Sequence, residues 1–165
     1  MLGTFAAVAP IVLARVFVVG NYQIPSDSML PTLRRGDRVW GEKISARRGA
    51  VAAGDIVTFH DPRSPRRTLI KRVIATGGQT VDLRDGNVLV DGEPLSEHYL
   101  KVGGTYPFGA SAVSYPVHVP QGSVWVMGDN RKNSFDSRFF GPVTVSALTS
   151  RVVYRYWPLE QARRL

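Results

Sequence analysis

A mainly β protein is what this sequence predicts: antiparallel sheets forming a coiled, barrel-like domain behind an N-terminal apolar helix. Three observations carry that expectation. Short runs rich in β-branched and aromatic residues recur between turn residues. The chain holds 16 Gly and 11 Pro in 165 residues, a turn-rich composition. No stretch after Gly20 sustains a 3.6-residue apolar period, apart from a turn-length pattern near Pro142 to Leu148.

The length suits one domain with a sizeable core. We divide it into an apolar segment, residues 1–20, and a β-rich body, residues 21–165. The first segment, MLGTFAAVAPIVLARVFVVG, is uncharged until Arg15. A cleaved signal peptide, a buried helix and a membrane anchor all compete for it. A signal peptide opens with positive charge, and this segment does not. The 14 residues before Arg15 make about 21 Å of helix, short of a full span. Counting through Val19 reaches the required length if Arg15 snorkels to the interface. The anchor is the favoured reading.

In the body, Arg38 to Ile44 reads as a strand, and Ala53-Gly54-Asp55 turns into Ile56 to Phe59. Leu69 to Ala75 is rich in β-branched residues and stops at Thr76-Gly77-Gly78. Thr80 to Leu83 and Val88 to Val90 flank a Gly-containing turn and predict a hairpin. Asp91-Gly92 starts another turn. Gly103 to Tyr115 is glycine- and aromatic-rich without a period, as expected of a long loop. Ser123 to Met127 and Thr149 to Trp157 complete the strands.

Composition narrows the chemistry. With no cysteine, disulfides, thiolate metal sites and cysteine nucleophiles are excluded. The three histidines, His60, His98 and His118, stand in no catalytic or metal-binding pattern, so no metal and no cofactor is expected. The formal net charge is +8, much of it between Lys43 and Arg72. Anionic lipid head groups and a solvated basic face are both compatible with that cluster. Nucleic acid is disfavoured, because no aromatics interleave with the basic residues.

Two residues stand out. Ser28 lies in the proline-bracketed run Ile24-Pro25-Ser26-Asp27-Ser28-Met29-Leu30-Pro31, and Lys71 in the apolar run Leu69-Ile70-Lys71-Arg72-Val73-Ile74. A serine hydroxyl needs a base to become nucleophilic. Lysine can be that base only when neutral, which means lowering a pKa of about 10.4 by burial. Period-2 alternation puts Lys71 on one face with Leu69 and Val73, and Arg72 on the other. An exposed edge-strand lysine would read the same way from the strand alone. A third segment, Gly128 to Arg138, is too densely polar for an ordinary turn.

Together, in this order, the three segments resemble the type I signal peptidases, membrane-bound endopeptidases that remove signal peptides from exported proteins. The resemblance runs from about Asn21 to Pro158. It implies Ser28 as nucleophile and Lys71 as general base, with Ser26 and the Ser28 N–H stabilising the oxyanion. It implies that Ser134 hydrogen-bonds the lysine amine, that Asp136 and Arg138 form a supporting ion pair, and that Gly128 and Asp129 open the loop carrying them. Asp27 stands where many relatives have Gly, so its carboxylate must point away. Lys132 replaces an expected acidic residue and should face solvent. Ile24, Pro25, Met29, Leu33, Leu69 and Ile70 are implied to line small apolar pockets for an Ala-x-Ala end. The implied setting is a plasma membrane, single-pass, with the catalytic domain on the extracytoplasmic side, preprotein signal peptides as substrate and the bilayer as partner. A LexA-like self-cleaving domain and a non-catalytic, membrane-tethered peptide binder are the rival readings. The first lacks its upstream DNA-binding module here, and the second would require a broken catalytic set.

Overall fold

The computed structural model describes residues 18–100, 104–107 and 113–165. Most of the expected N-terminal helix, residues 1–17, lies outside them. Its predicted last residues are not helical: strand β1, Val19–Gln23, begins there and pairs Val19 with Glu42 of β2, Arg38–Glu42. β-branched Val19 suits a ladder, and Gly20 lets the Tyr22 ring lie close over its backbone.

The strands follow the predicted order. After β2 come β3 (Ile56–Asp61), β4 (Ser64–Thr76), β5 (Thr80–Arg84), β6 (Asn87–Val90), β7 (Glu93–Pro94), β8 (Val117–His118), β9 (Ser123–Met127), β10 (Val143–Thr144), β11 (Leu148–Trp157) and β12 (Arg163–Arg164). Every pairing is antiparallel. The larger sheet runs β1-β2-β11-β3-β4-β9-β10, with β12 added to β11, and the smaller runs β7-β6-β5-β8. Both orders are open paths with two ends. The expected barrel-like closure is therefore not formed, because β1 and β10 sit at opposite edges and do not pair.

Turn chemistry explains the small sheet. Asp85 and Gly86 both have positive φ, as do Asp91 and Gly92, at the bends joining β5 to β6 and β6 to β7. Two such residues make the hairpin turn whose twist matches its strands. Two short helices escaped the periodicity reading, α1 (Ile44–Arg48) and α2 (Ser137–Phe140). Four or five residues are barely one turn, too few to display a 3.6-residue repeat.

β4 is the strand that positions the site. It lies between β3 and β9, so Leu69 to Ala75 are buried on both faces. Leu69 and Val73 pack with Val57, Phe59 and Val126 in one cluster. Ile70 joins Ile24, Met29, Leu33 and Val152 in a second, and Ile74 joins Trp125 and Val81 in a third. The alternation read from the sequence is thus present in three dimensions.

β11 braces the segment between β1 and β2. Arg155 is 4% exposed and donates through one terminal nitrogen to Asp37 at 3.0 Å and to the Thr32 carbonyl at 3.2 Å. Arg155→Ala leaves Asp37 charged and buried without that partner, which costs about 3–5 kcal/mol. Urea unfolding should show that loss, and an unchanged midpoint would refute the brace.

Candidate active site

Ser28 sits in the connection between β1 and β2. That connection begins as a continued ladder, with Ile24 N–H donating to the Asp37 carbonyl at 2.8 Å and Gly36 N–H to the Ile24 carbonyl at 2.9 Å. Inside it the chain coils, and Leu33 N–H donates to the Met29 carbonyl. Met29 and Leu33 are fully buried in the core. They back the loop beneath Ser28, packed with Ile24 and Ile70. Two large apolar side chains one helical turn apart point inward, leaving Ser28 on the rim.

A second loop meets the first. Asn130 N–H donates to the Ser28 carbonyl at 3.0 Å, and its side-chain amide donates to the Asp27 carbonyl at 3.0 Å. Gly128 lies in the junction. A Cβ there would come 2.5 Å from the Ser28 carbonyl oxygen and closer still to Ser134 Oγ. Only glycine permits this approach.

Lys71 reaches this junction from β4. Its Nζ lies 2.7 Å from Ser28 Oγ and donates to the Ile70 carbonyl at 2.9 Å. The residue is 3% exposed. Burial pushes the amine down to about 8, against the raising effect of Asp136 and Asp129, while Arg67 and Arg138 push the same way as burial. Ser26 Oγ flanks the pair, 3.4 Å from Ser28 Oγ. Asp27 is exposed.

The polar segment is held by buried ion pairs. Arg138 Nε donates to one oxygen of Asp136 at 2.9 Å and a terminal nitrogen to the other at 2.8 Å. Asp136 also accepts the Gly128 N–H at 3.0 Å, so the pair fixes the start of the loop. Asp129 accepts a similar fork from Arg72, at 2.9 and 2.7 Å, and the Thr32 hydroxyl. Ser134 is buried beside Gly128, yet its Oγ has no hydrogen-bond partner among the described residues. The hydrogen bond expected from Ser134 to the lysine amine is not formed. Lys132 faces solvent as expected, and His60, His98 and His118 are all exposed.

Sequence reasoning missed three members of this network. Arg72 was placed on the far face of β4 but given no partner. Arg131 donates to the Gly128 carbonyl at 3.1 Å and forms an ion pair with Glu97. Thr32 joins through its hydroxyl to Asp129. A second charge inside the apolar run of β4 was the available signal for Arg72, whereas Glu97 lies in a segment without periodicity.

Ser28 and Lys71 open onto a cleft of about 490 Å3, walled by Pro25, Leu69, Ile70 and Phe135. A neighbouring groove of about 290 Å3 shares Pro25, Leu69 and Ile70 and adds Ile24 with Asn21 to Gln23 of β1. Among the described residues no group of three or more His, Asp or Glu is placed to hold a metal ion.

The family model described as Signal peptidase, peptidase S26, matches residues 1–157. The chain is 40% identical over 158 residues to a signal peptidase I of Leptolyngbya laminosa, covering 92% of this chain and 75% of that protein. It is 42% identical over 153 residues to a probable signal peptidase I-1 of Synechocystis, covering 88% and 75%. It is 37% identical over 164 residues to thylakoidal processing peptidase 1 of Arabidopsis thaliana, covering 93% of this chain and 46% of that one. A crystal structure of a signal peptidase I from Enterococcus faecalis superposes with a TM-score of 0.54 at 33% identity, covering 61% of this chain and 95% of the other. With a serine and a buried lysine meeting on a peptide-sized cleft, and with these likenesses spanning most of its length, the chain belongs to the S26 signal peptidase family of serine endopeptidases.

Proposed function

We propose that this chain removes N-terminal signal peptides from exported preproteins, with Ser28 as nucleophile and neutral Lys71 as general base. The observation that carries the reading is the 2.7 Å approach of Lys71 Nζ to Ser28 Oγ at a buried position. That distance is within reach for direct proton transfer.

The chemistry follows from the placement. In the neutral state the Ser28 hydroxyl donates to the amine lone pair, and Lys71 takes the proton as Oγ bonds to the scissile carbonyl carbon. The carbonyl oxygen gains the negative charge, and the Ser28 N–H with the Ser26 hydroxyl stabilises it. The lysine ammonium then protonates the departing amine, leaving an acyl-serine. Water gives a proton to Lys71 as its oxygen bonds to the ester carbon; the bond to Oγ then breaks, and the lysine ammonium returns the proton to restore the Ser28 hydroxyl.

Substrate choice follows from the walls. Leu69, Ile70, Pro25 and Ile24 make shallow apolar recesses suited to Ala at the first and third positions before the cut, the Ala-x-Ala pattern. β1 is an edge strand beside the second groove, so an extended signal-peptide end has backbone groups there to pair with. We assign the apolar segment that precedes β1 to a single-pass anchor in the plasma membrane and the β-rich domain from β1 onward to an extracytoplasmic catalytic domain. No helix among the described residues is long and apolar enough to cross a membrane.

Ser28→Ala and Lys71→Ala should each lower cleavage of an Ala-x-Ala preprotein by about 10³-fold or more. Ser26→Ala should cost about 10²-fold. Single-turnover assays on the detergent-solubilised full chain read these losses, and a Ser28→Ala variant that still cuts would refute the assignment. In wild type, kcat/KM should rise with pH and reach half its plateau near pH 8, where the amine loses its proton.

A neutral buried amine also destabilises the fold. The folded pKa of Lys71, about 8, lies below the ordinary 10.5. Between those values the unfolded chain binds more protons, so stability rises with pH across this window and the penalty is fully present below pH 8. Its size is about 3 kcal/mol, taking about 1.4 kcal/mol per pKa unit. Relative to wild type, Lys71→Met should therefore be more stable at pH 7 than at pH 10.5 by about that amount. Urea unfolding of both proteins at both pH values measures the difference. An advantage independent of pH would contradict the depressed amine.

A further inference from the structure

The catalytic reading leaves two guanidinium groups on the cleft wall unexplained. Arg35 and Arg67 both line the cleft that holds Ser28 and Lys71. Arg35 is exposed, and among the described residues its side chain has no hydrogen-bond or ion-pair partner. Arg67 has a side chain 63% exposed and a single distant ion pair, 3.9 Å from Asp61. Asp61 is already engaged, accepting the Arg63 N–H at 2.9 Å. Arg63 in turn lies over the Phe135 ring, 5.0 Å from its centre, and Phe135 walls the same cleft. Against these cations the lining offers one carboxylate, Asp27.

The arrangement differs from that of the buried arginines. Arg72, Arg131, Arg138 and Arg155 each spend their charge on a carboxylate within the fold. Arg35 and Arg67 spend theirs on the space a substrate must enter. Both charges stand on the wall of the cleft, so an extended substrate that enters it passes through their field.

We infer that Arg35 and Arg67 read charge on the preprotein, favouring an acidic side chain within a few residues of the scissile bond and disfavouring a basic one. The inference rests on the proposed peptidase function and adds a second criterion to it. Small apolar recesses select the residues before the cut by size, and the arginines grade the flanking residues by sign. The grading is a modest effect, because exposed ion pairs are individually weak.

The test uses the full chain in uncharged detergent micelles and a series of Ala-x-Ala peptides. Each flanking position carries Asp, Asn or Lys in turn, and each enzyme is assayed on the plateau of its own pH profile. At the sensitive positions kcat/KM should fall about 10-fold from Asp to Lys at low ionic strength, and the ratio should shrink in roughly 0.5 M salt, where screening shortens the reach of exposed charges. Arg35→Gln/Arg67→Gln should reduce the ratio to about 2-fold or less, and Arg35→Glu/Arg67→Glu should invert it. The ratio is internal to each enzyme, so a general loss of activity does not disguise the outcome. If Asn peptides are cut and the ratio is the same in wild type and variants, the inference is overturned while the peptidase reading stands. If no peptide is cut by wild type, the peptidase reading fails and this inference with it. Should the variants lose only binding to anionic vesicles, with peptide preference intact, the arginines face lipid and the inference is likewise wrong.

Discussion

An amine must be kept out of water beside a hydroxyl, and much of the fold can be understood as the means of doing so. Charge on a buried amine is disfavoured by desolvation, and two carboxylates stand near enough to oppose that effect. Asp136 is wholly buried and Asp129 nearly so. Left unpaired, either would favour the protonated amine. Each is instead forked by an arginine, Arg138 and Arg72, whose charges offset theirs. These ion pairs fasten the loop from Gly128 to Arg138, and they also let burial determine the state of the base.

The same pairs explain how segments far apart in the chain meet within a hydrogen bond's length. Arg72 follows Lys71 in β4 and grips Asp129, while Asn130 grips the backbone around Ser28. Displacement of the nucleophile is thereby coupled to displacement of the strand carrying the base. Gly128 completes the join, since any side chain there would separate the two loops. Loops on a rigid sheet are usually the mobile part of a site. Here both are tied to β4 through buried hydrogen bonds, Lys71 to Ser28 and Arg72 to Asp129 and Thr32.

What could be read from residues alone was local. The alternation in β4, the proline bracket around Ser28 and the two Asp-Gly turns are patterns within a few residues, and each has its counterpart in the structure. Partnerships across the chain were not legible. Arg72 and Asp129 are 57 residues apart and Arg131 and Glu97 are 34 apart, and nothing in either flank names the other. The burial of Met29 and Leu33 was illegible for a related reason. An apolar residue near a nucleophile reads the same whether it faces substrate or core, and the helical turn that sends both inward is set by tertiary packing. The edge positions of β1 and β10 likewise depend on sheet order, which strand patterns do not specify.

The choice of cation at each buried position makes the functional logic plain. Among the described residues five cationic side chains are buried: Arg72, Arg131, Arg138, Arg155 and Lys71. All four arginines have a carboxylate partner, whereas no carboxylate pairs with the lysine. Arginine keeps its charge at any working pH and presents a planar fork, so it suits a permanent strut. Lysine is the cationic side chain that burial can strip of its proton. A carboxylate beside Lys71 would make it a fifth strut and remove the base. An arginine in its place would keep the charge and could not accept the serine's proton. The structural and catalytic roles of positive charge are separated here by residue type, and withholding a counter-ion from position 71 is as much a part of the site as the hydroxyl it faces.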